Sequence, residues 1–305
     1  MTLTAAGLNA AAWALQTSFL LASGIALPAL LRVRDPSVRL GFWRFLLLVV
    51  LLVPLLQQGI APAPADFGDA APAFLGAVTV NVSSQGERAA HLSWLWIIWA
   101  AGAVLLVGRA GLGFLRLARL RAGARPLAEV SEETEPAVGC LEPRPLLLLS
   151  DKVRSPMTFG WPSPVILLPA DFPALEAKAR ATMLAHEALH AERRDWLWLL
   201  AEELLRALLW FHPAAWLLLP RIGLCREQAV DLEVVRRTGE RRPYMQALVA
   251  MARRRQGAPA VGSLPFHGRS HLLQRMALLA QEGSMSRRRL AVSALALVLL
   301  LSAAG

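Results

Sequence analysis

Cysteine and lysine are both scarce in this sequence. Its 305 residues include 2 cysteines, Cys140 and Cys225, and these form no Cys-x-x-Cys motif. They indicate no disulfide framework, so we expect two reduced thiols. Lysine occurs only at Lys152 and Lys178, and the net charge of +10 therefore comes almost entirely from arginine.

The arginine excess points to one of two kinds of partner. Nucleic acid is one interpretation of so basic a chain. The arginines cluster beside long apolar segments, however, as they do where a protein is anchored at the cytoplasmic face of a membrane. We therefore expect contact with membrane lipids and no direct contact with nucleic acid.

Apolar residues are abundant and unevenly distributed. They make up 55% of the chain, and the mean hydropathy is +0.45. Long apolar runs, which are typical of membrane helices, cover residues 8–31 and 40–60, and a third begins at Ser93. A shorter run covers residues 290–305, directly after three arginines.

The charges between these runs predict their orientation. Basic residues follow the first and third runs, whereas the loop at residues 61–92 is poor in positive charge. The positive-inside rule then puts the N-terminus outside and the polar domain in the cytoplasm. We predict three transmembrane helices with their loops in residues 1–125, a cytoplasmic domain in 126–285 and a C-terminal transmembrane helix in 286–305.

The polar domain begins with predicted strands. Short apolar runs at residues 146–149 and 165–168 are bounded by prolines, a pattern that favours strands. The turn-rich segment between them contains Thr158, Phe159 and Gly160. These residues could form a hairpin whose edge receives a substrate peptide, or an ordinary turn.

Helices are predicted in the remainder of the domain. One starts near Asp171 and runs on into residues 196–200. The apolar stretch 196–219 contains charges and Pro213, so we favour helices packed in the core or against the membrane over a fourth full span. Further helices are predicted at residues 222–237 and 243–255.

A metallopeptidase motif lies on the first of these helices. His186-Glu187-Ala188-Leu189-His190 has the H-E-x-x-H spacing. Two histidines four residues apart lie on one helix face, so both imidazoles can reach one Zn²⁺ ion. Glu187 lies beside that ion and could act as the general base on a bound water. The motif also occurs by chance, so it needs a third ligand.

Glu227 is the candidate for that third ligand. Glu227 and Asp231 are four residues apart on a predicted helix, so both face the same way. Glu227 could bind the metal while Asp231 accepts the outer N–H of a ligand histidine. The alternative is a surface helix with scattered acids. His212 is less specific, because it could stabilise an oxyanion or simply cap a helix at the break.

The ordered set of motifs resembles the BlaR/MecR-type integral-membrane zinc metallopeptidases. Three leading spans are followed by Pro156-Met157-Thr158-Phe159-Gly160, by 165–169, by the H-E-x-x-H motif, by Trp210-Phe211-His212-Pro213 and by Glu227 to Asp231. The E-x-x-x-D spacing is also similar to the Ste24/HtpX-type membrane proteases. The resemblance covers most of the chain.

This resemblance implies a mainly α, multi-pass protein of the bacterial inner membrane. A helical gluzincin-like zinc metallopeptidase domain with a small β-hairpin or sheet would lie between membrane helices three and four. His186, His190 and Glu227 would bind zinc, Glu187 would be the catalytic acid/base, and Asp231 would support a ligand. Val230 stands where family members often have a cysteine, and we expect no effect of that difference on the zinc site.

The implied activity is that of a zinc endopeptidase in signal transduction. Its substrate would be a cytosolic regulator such as a BlaI/MecI-type repressor, or the protease itself. The 305 residues contain no Ser-x-x-Lys motif, so we do not expect direct sensing of β-lactams by acylation within them. Two alternatives stay open: a membrane-protein quality-control protease, and a non-proteolytic transducer with a structural metal site. A homodimer is one candidate assembly.

Overall fold

The computed structural model describes residues 3–57, 85–127, 134–139, 141–255 and 269–280. Its helices are α1 Leu3–Leu30, α2 Pro36–Gln57, α3 Gln85–Ala122, α4 Glu135–Val138, α5 Ala177–Glu192, α6 Asp195–Leu208, α7 Pro213–Thr238, α8 Arg241–Arg255 and α9 Arg269–Ala280. Its strands are β1 Arg125–Pro126, β2 Leu146–Ser150, β3 Met157–Phe159 and β4 Val165–Pro169. The prediction of a mainly helical chain with a small sheet is confirmed.

One helical segment within the described residues, Trp96–Ala122, has the length and composition needed to cross a membrane. It forms most of α3, which is longer than its apolar run because the helix continues through the basic residues that follow. Leu15–Leu30 of α1 is a shorter apolar segment. The predicted C-terminal helix at residues 286–305 and most of the loop at 61–92 lie outside the described residues.

Helix α6 runs antiparallel to α3. Near the start of α6, the Trp196 ring meets Phe114 edge-on, with the ring centroids 5.6 Å apart. At its end, the Trp99 indole N–H donates to the carbonyl oxygen of Leu208 over 2.9 Å. Helix α7 then returns along α1 and α2, and side chains of α1, α2, α6 and α7 share one hydrophobic core. The apolar stretch 196–219 therefore folds as a helical hairpin, with the predicted break just before Pro213.

The prediction of one continuous helix through residues 196–200 is wrong. Helix α5 ends at Glu192, and Arg194 adopts a left-handed backbone conformation with φ of +53°. The helix axis changes there, and Asp195 becomes the first residue of α6. The expected start near Asp171 is also early, because a 3-10 turn at Phe172–Ala174 precedes α5.

Helix α7 starts earlier than its sequence pattern predicts. It begins at Pro213 rather than near Ile222. Proline suits the first position of a helix, because its fixed φ is already helical and because a backbone N–H at that position would have no partner within the helix. The predicted stop is confirmed, since Gly239 ends the helix with φ of +71°. Within α7, Cys225 is buried as a free thiol, whereas Cys140 lies outside the described residues.

The strands form one sheet in the order β1-β2-β4-β3. Strands β2 and β4 are parallel neighbours, so the two predicted strands are confirmed. Strand β3 pairs antiparallel with β4, so the segment between them forms the hairpin rather than an ordinary turn. Alternate residues of β4 face opposite sides: Ile166 packs with Leu184 of α5, and Leu167 with Leu120 of α3. The sheet therefore joins the long helix α3 to the helix that carries the H-E-x-x-H motif, with β3 at its edge.

Candidate metal centre

Two elements bring the predicted ligands together. Helix α5 places His186 and His190 one turn apart, and their Nε2 atoms are 3.2 Å from each other. Glu227 comes from α7, which packs against α5. Its carboxylate oxygens lie 3.6 Å from the Nε2 atom of His186 and 3.7 Å from that of His190.

This triangle fits a tetrahedral zinc ion. Two donors bound about 2.0–2.1 Å from such an ion lie roughly 3.3–3.4 Å apart. The three ligand atoms all lie within 4.8 Å of one another, so small side-chain movements would complete the geometry. Among the described residues no fourth histidine, cysteine or carboxylate belongs to this cluster, which leaves room for a water molecule.

Asp195 holds His190, the second histidine of the motif. Its Oδ2 atom accepts the Nδ1–H of His190 over 2.8 Å, which leaves Nε2 free to face the metal. The Oδ1 atom accepts a hydrogen bond from the guanidinium of Arg44 on α2. We did not single out Asp195 from the sequence, although a carboxylate five residues after the motif was a usable signal.

A different chain of hydrogen bonds holds His186. Its Nδ1 atom lies 2.8 Å from the hydroxyl of Tyr244, and that hydroxyl donates to Asp231. Asp231 itself lies 3.6 Å from Nδ1, so it supports His186 through Tyr244 rather than by the direct bond that we expected. Tyr244 is the single tyrosine of the chain and is fully buried, but its sequence position gave no sign of this role.

Arg275 of α9 completes the cluster. It donates two hydrogen bonds of 2.7 Å to the carboxylate of Asp231 and lies 3.0 Å from Glu227. Burial alone would raise the pKa of the Glu227 carboxyl, but the Arg275 guanidinium and the two histidines hold that pKa well below its usual value. Glu227 is therefore ionised, which is the state that binds a metal.

The electrostatics of His190 favour its protonated form when no metal is bound. Burial disfavours the imidazolium, but the hydrogen bond to Asp195 and the charge of Glu227 together raise the pKa of His190. Burial also opposes ionisation of Asp195, and the bonds from His190 and Arg44 nevertheless lower its pKa. A metal ion at this site would take the place of the His190 proton.

Glu187 lies inside the site and is hydrogen-bonded by the edge strand. It is buried on α5, and the Thr158 hydroxyl of β3 lies 2.7 Å from its Oε2 atom. The same hydroxyl lies 3.0 Å from the Glu187 carbonyl oxygen. Thr158, predicted as a substrate or oxyanion residue, thus contacts the candidate general base.

Three other predicted residues lie elsewhere. Phe159 packs in the core between the sheet and α3, and Gly160 takes a turn conformation with φ of +96°. His212 caps α7 through Ala214 and bonds the hydroxyl of Ser18. At about 1.5 Å per helical residue, His212 is roughly 20 Å from Glu227. Of the two roles considered for His212, the helix cap is therefore confirmed and the oxyanion role is not.

Comparison with known proteins identifies a peptidase family. Residues 59–279 match the family described as BlaR1 peptidase M56. A stretch of 91 residues is 33% identical to "Regulatory protein BlaR1" of Bacillus licheniformis, and it covers 30% of this chain but only 15% of that relative. The family match contains the sheet, α5, α7 and α9, and it extends over most of the 305 residues. This protein therefore belongs to the BlaR1 peptidase M56 family, as its motifs suggested.

Proposed function

We propose that this protein is a membrane-embedded zinc endopeptidase whose site is built from His186, His190, Glu227 and Glu187. The main observation in favour is that two imidazoles and a carboxylate converge, with their ligand atoms within 4.8 Å of one another. Family membership supports a peptidase, and a cluster with three rather than four protein ligands among the described residues supports a catalytic rather than a structural metal.

Glu187 is the general base in this proposal. A zinc ion held by the three ligands would lower the pKa of a bound water to about 7. Thr158 engages Oε2 of Glu187, which leaves Oε1 to take the proton of the attacking water and to pass it to the leaving amine. Because the carboxylate is buried and hydrogen-bonded, it keeps one orientation throughout this transfer.

The substrate would bind as an added strand. Strand β3 pairs with β4 on one side and, among the described residues, is the last strand of the sheet on the other. A peptide laid along that edge would satisfy its backbone groups and pass close to Glu187, which Thr158 of the same strand contacts. This arrangement selects extended, unfolded segments of a protein.

The biological role that we propose is signalling from the bacterial inner membrane. The name of the related "Regulatory protein BlaR1" supports a regulatory role, which we transfer here as a proposal. The metallopeptidase domain would face the cytoplasm, the membrane would be crossed several times, and the substrate would be a BlaI/MecI-type repressor or the chain itself.

The direct test is Glu187→Gln in the purified full chain. We expect stoichiometric zinc binding as in the wild type and a fall in cleavage of a candidate repressor of at least about 100-fold, since general-base catalysis contributes roughly that much. Glu192→Gln is the matched control, because Glu192 lies on the same helix but pairs with Arg237 at the surface.

Thr158→Val refines this test. The variant keeps the shape of the side chain but leaves Glu187 without the hydroxyl, so we expect a lower kcat with unchanged zinc content. Unchanged cleavage in Glu187→Gln would overturn the proposal. Zinc binding without turnover in the wild type would favour the non-proteolytic transducer, and broad cleavage of unfolded membrane proteins the quality-control protease.

A further inference from the structure

Arg44 connects the metal centre to α2, the second of the predicted transmembrane helices, which we call the membrane-side helix. Arg44 lies in the N-terminal half of α2, and its guanidinium donates to Oδ1 of Asp195. Only 13% of the Arg44 side chain and 3% of the Asp195 side chain are exposed. The Arg44 guanidinium also lies 4.9 Å from the ring centre of Trp198 on α6, which holds it against the start of that helix.

Asp195 divides its two oxygens between the membrane-side helix and the metal ligand. Oδ1 takes the hydrogen bond from Arg44, and Oδ2 takes the one from His190. Arg193 lies 3.9 Å from Oδ1 and is too far to replace Arg44 as a hydrogen-bond donor. Because a carboxylate is planar and rigid, any rotation of Asp195 that follows the loss or displacement of Arg44 also moves the oxygen that orients His190.

The remainder of α2 is packed so that its position is well defined. Leu40, Trp43 and Leu47 are buried in one core with Leu218 and Ile222 of α7, the helix that also carries Glu227. A shift of α2 relative to α5 therefore acts on His190 through Asp195, and on Glu227 through α7.

We propose that Arg44 is a positioning residue for the metal ligand His190, acts through Asp195, and couples metal binding to the placement of α2. The inference rests on the proposed metal site but not on proteolysis. It gives the metal centre a direct physical connection to a helix that we predict to lie in the membrane.

Metal affinity tests the positioning role. In the full chain, we expect Arg44→Met to weaken zinc binding about 10-fold in competition with a chromophoric chelator, at the lower end of what outer-shell partners contribute. It should also change the visible spectrum of the Co²⁺-substituted protein, and Arg44→Lys should restore part of both. Arg39→Met is the matched control on the same helix, because the Arg39 guanidinium lies over Trp43, whereas it is Arg44 that forms the ion pair with Asp195.

A double-mutant cycle tests the route. If Arg44 acts through Asp195, then Arg44→Met adds no further loss of zinc affinity to Asp195→Asn. Additive losses would overturn the proposed route. Should Arg44→Met fail to fold, the comparison of Arg44→Lys with the wild type decides in its place.

Hydrogen exchange tests the coupling to α2. Coupling is reciprocal, so zinc should slow amide exchange in α2 of the wild type, and this protection should be lost in Arg44→Met and reduced in Arg44→Lys. The proposal would be overturned if a folded Arg44→Met protein had the zinc affinity and the Co²⁺ spectrum of the wild type. It would also be overturned if zinc did not change amide exchange in α2 of the wild type. These measurements do not involve cleavage, so an inactive protein with a coupled metal site would refute only the proposed peptidase activity.

Discussion

At the scale of single residues, each ligand histidine is oriented by an acid that an arginine neutralises. His190 bonds Asp195, which Arg44 engages, and His186 bonds Tyr244, behind which lie Asp231 and Arg275. Both series of hydrogen bonds start at the Nδ1 atom of a histidine, which leaves both Nε2 atoms to face the same point. The arginines come from α2 and α9, which makes the site dependent on elements far apart in the sequence.

Tyr244→Phe removes only the hydroxyl that connects His186 to Asp231. We expect zinc affinity to fall by about 10–100-fold, since His186 loses the partner that fixes its orientation. Chelator competition measures the change. Thr182→Val is the control, because it removes a buried hydroxyl of α5 that donates to the Lys178 carbonyl of the same helix. Equal affinities of Tyr244→Phe and the wild type would show that Asp231 needs no tyrosine to act on His186.

The sequence predicts part of this site and not the remainder, for a physical reason. The spacing of His186 and His190, and that of Glu227 and Asp231, follows from the period of a helix, so one turn is enough to place each pair. Tyr244, Arg275 and Arg44 reach the site only through tertiary packing, and no local pattern marks them. Thr158 was identified as part of the hairpin, but its contact with Glu187 depends on how the sheet packs against α5.

At the scale of elements, the α6–α7 hairpin is held by a buried ion pair. Arg226 of α7 donates two hydrogen bonds, of 2.9 and 3.1 Å, to the carboxylate of Glu202 on α6. Both side chains are almost fully buried. Arg226 precedes Glu227 directly, so the pair fixes the rotation of α7 that presents Glu227 to the histidines.

Breaking this pair from one side should be costly. We expect Arg226→Met to lower the free energy of unfolding by about 3–5 kcal/mol, because it leaves Glu202 buried and unpaired. Adding Glu202→Met should recover most of that loss. Denaturant unfolding in detergent micelles measures both effects.

Arg237→Met is the control for the buried pair, since Arg237 forms ion pairs at the surface and should change stability by at most about 1 kcal/mol. A single Arg226→Met variant as stable as this control would contradict the account.

The break between α5 and α6 at Arg194 is also a feature at the scale of elements, and the sequence pattern did not reveal it. It turns Asp195 back towards His190.

At the scale of the whole molecule, the metal centre lies at one end of the long helix α3. Phe114, near the C-terminal end of the candidate span Trp96–Ala122, contacts Trp196, which directly follows Asp195. The basic residues Arg116, Arg119 and Arg121 lie at the same end. If α3 crosses the membrane, the site is therefore at the membrane surface that the arginines face.

Reporter insertions test this orientation. Alkaline phosphatase placed in the loop at residues 61–92 should be active, and a fluorescent protein placed at residues 256–268 should be fluorescent, because the two positions are predicted on opposite sides. Replacing Arg116, Arg119 and Arg121 with glutamine is the control that should weaken this preference. An inactive phosphatase at residues 61–92, or a fluorescent protein that does not fluoresce at residues 256–268, would contradict the predicted topology.

The most direct test of the central claim is zinc K-edge X-ray absorption on the purified full chain. The account predicts about one zinc per chain with two imidazole nitrogens and oxygen donors at about 2.0–2.2 Å, and loss of a carboxylate ligand or of the metal in Glu227→Ala. A protein without bound zinc, or a first shell that includes sulfur or is unchanged by Glu227→Ala, would contradict it.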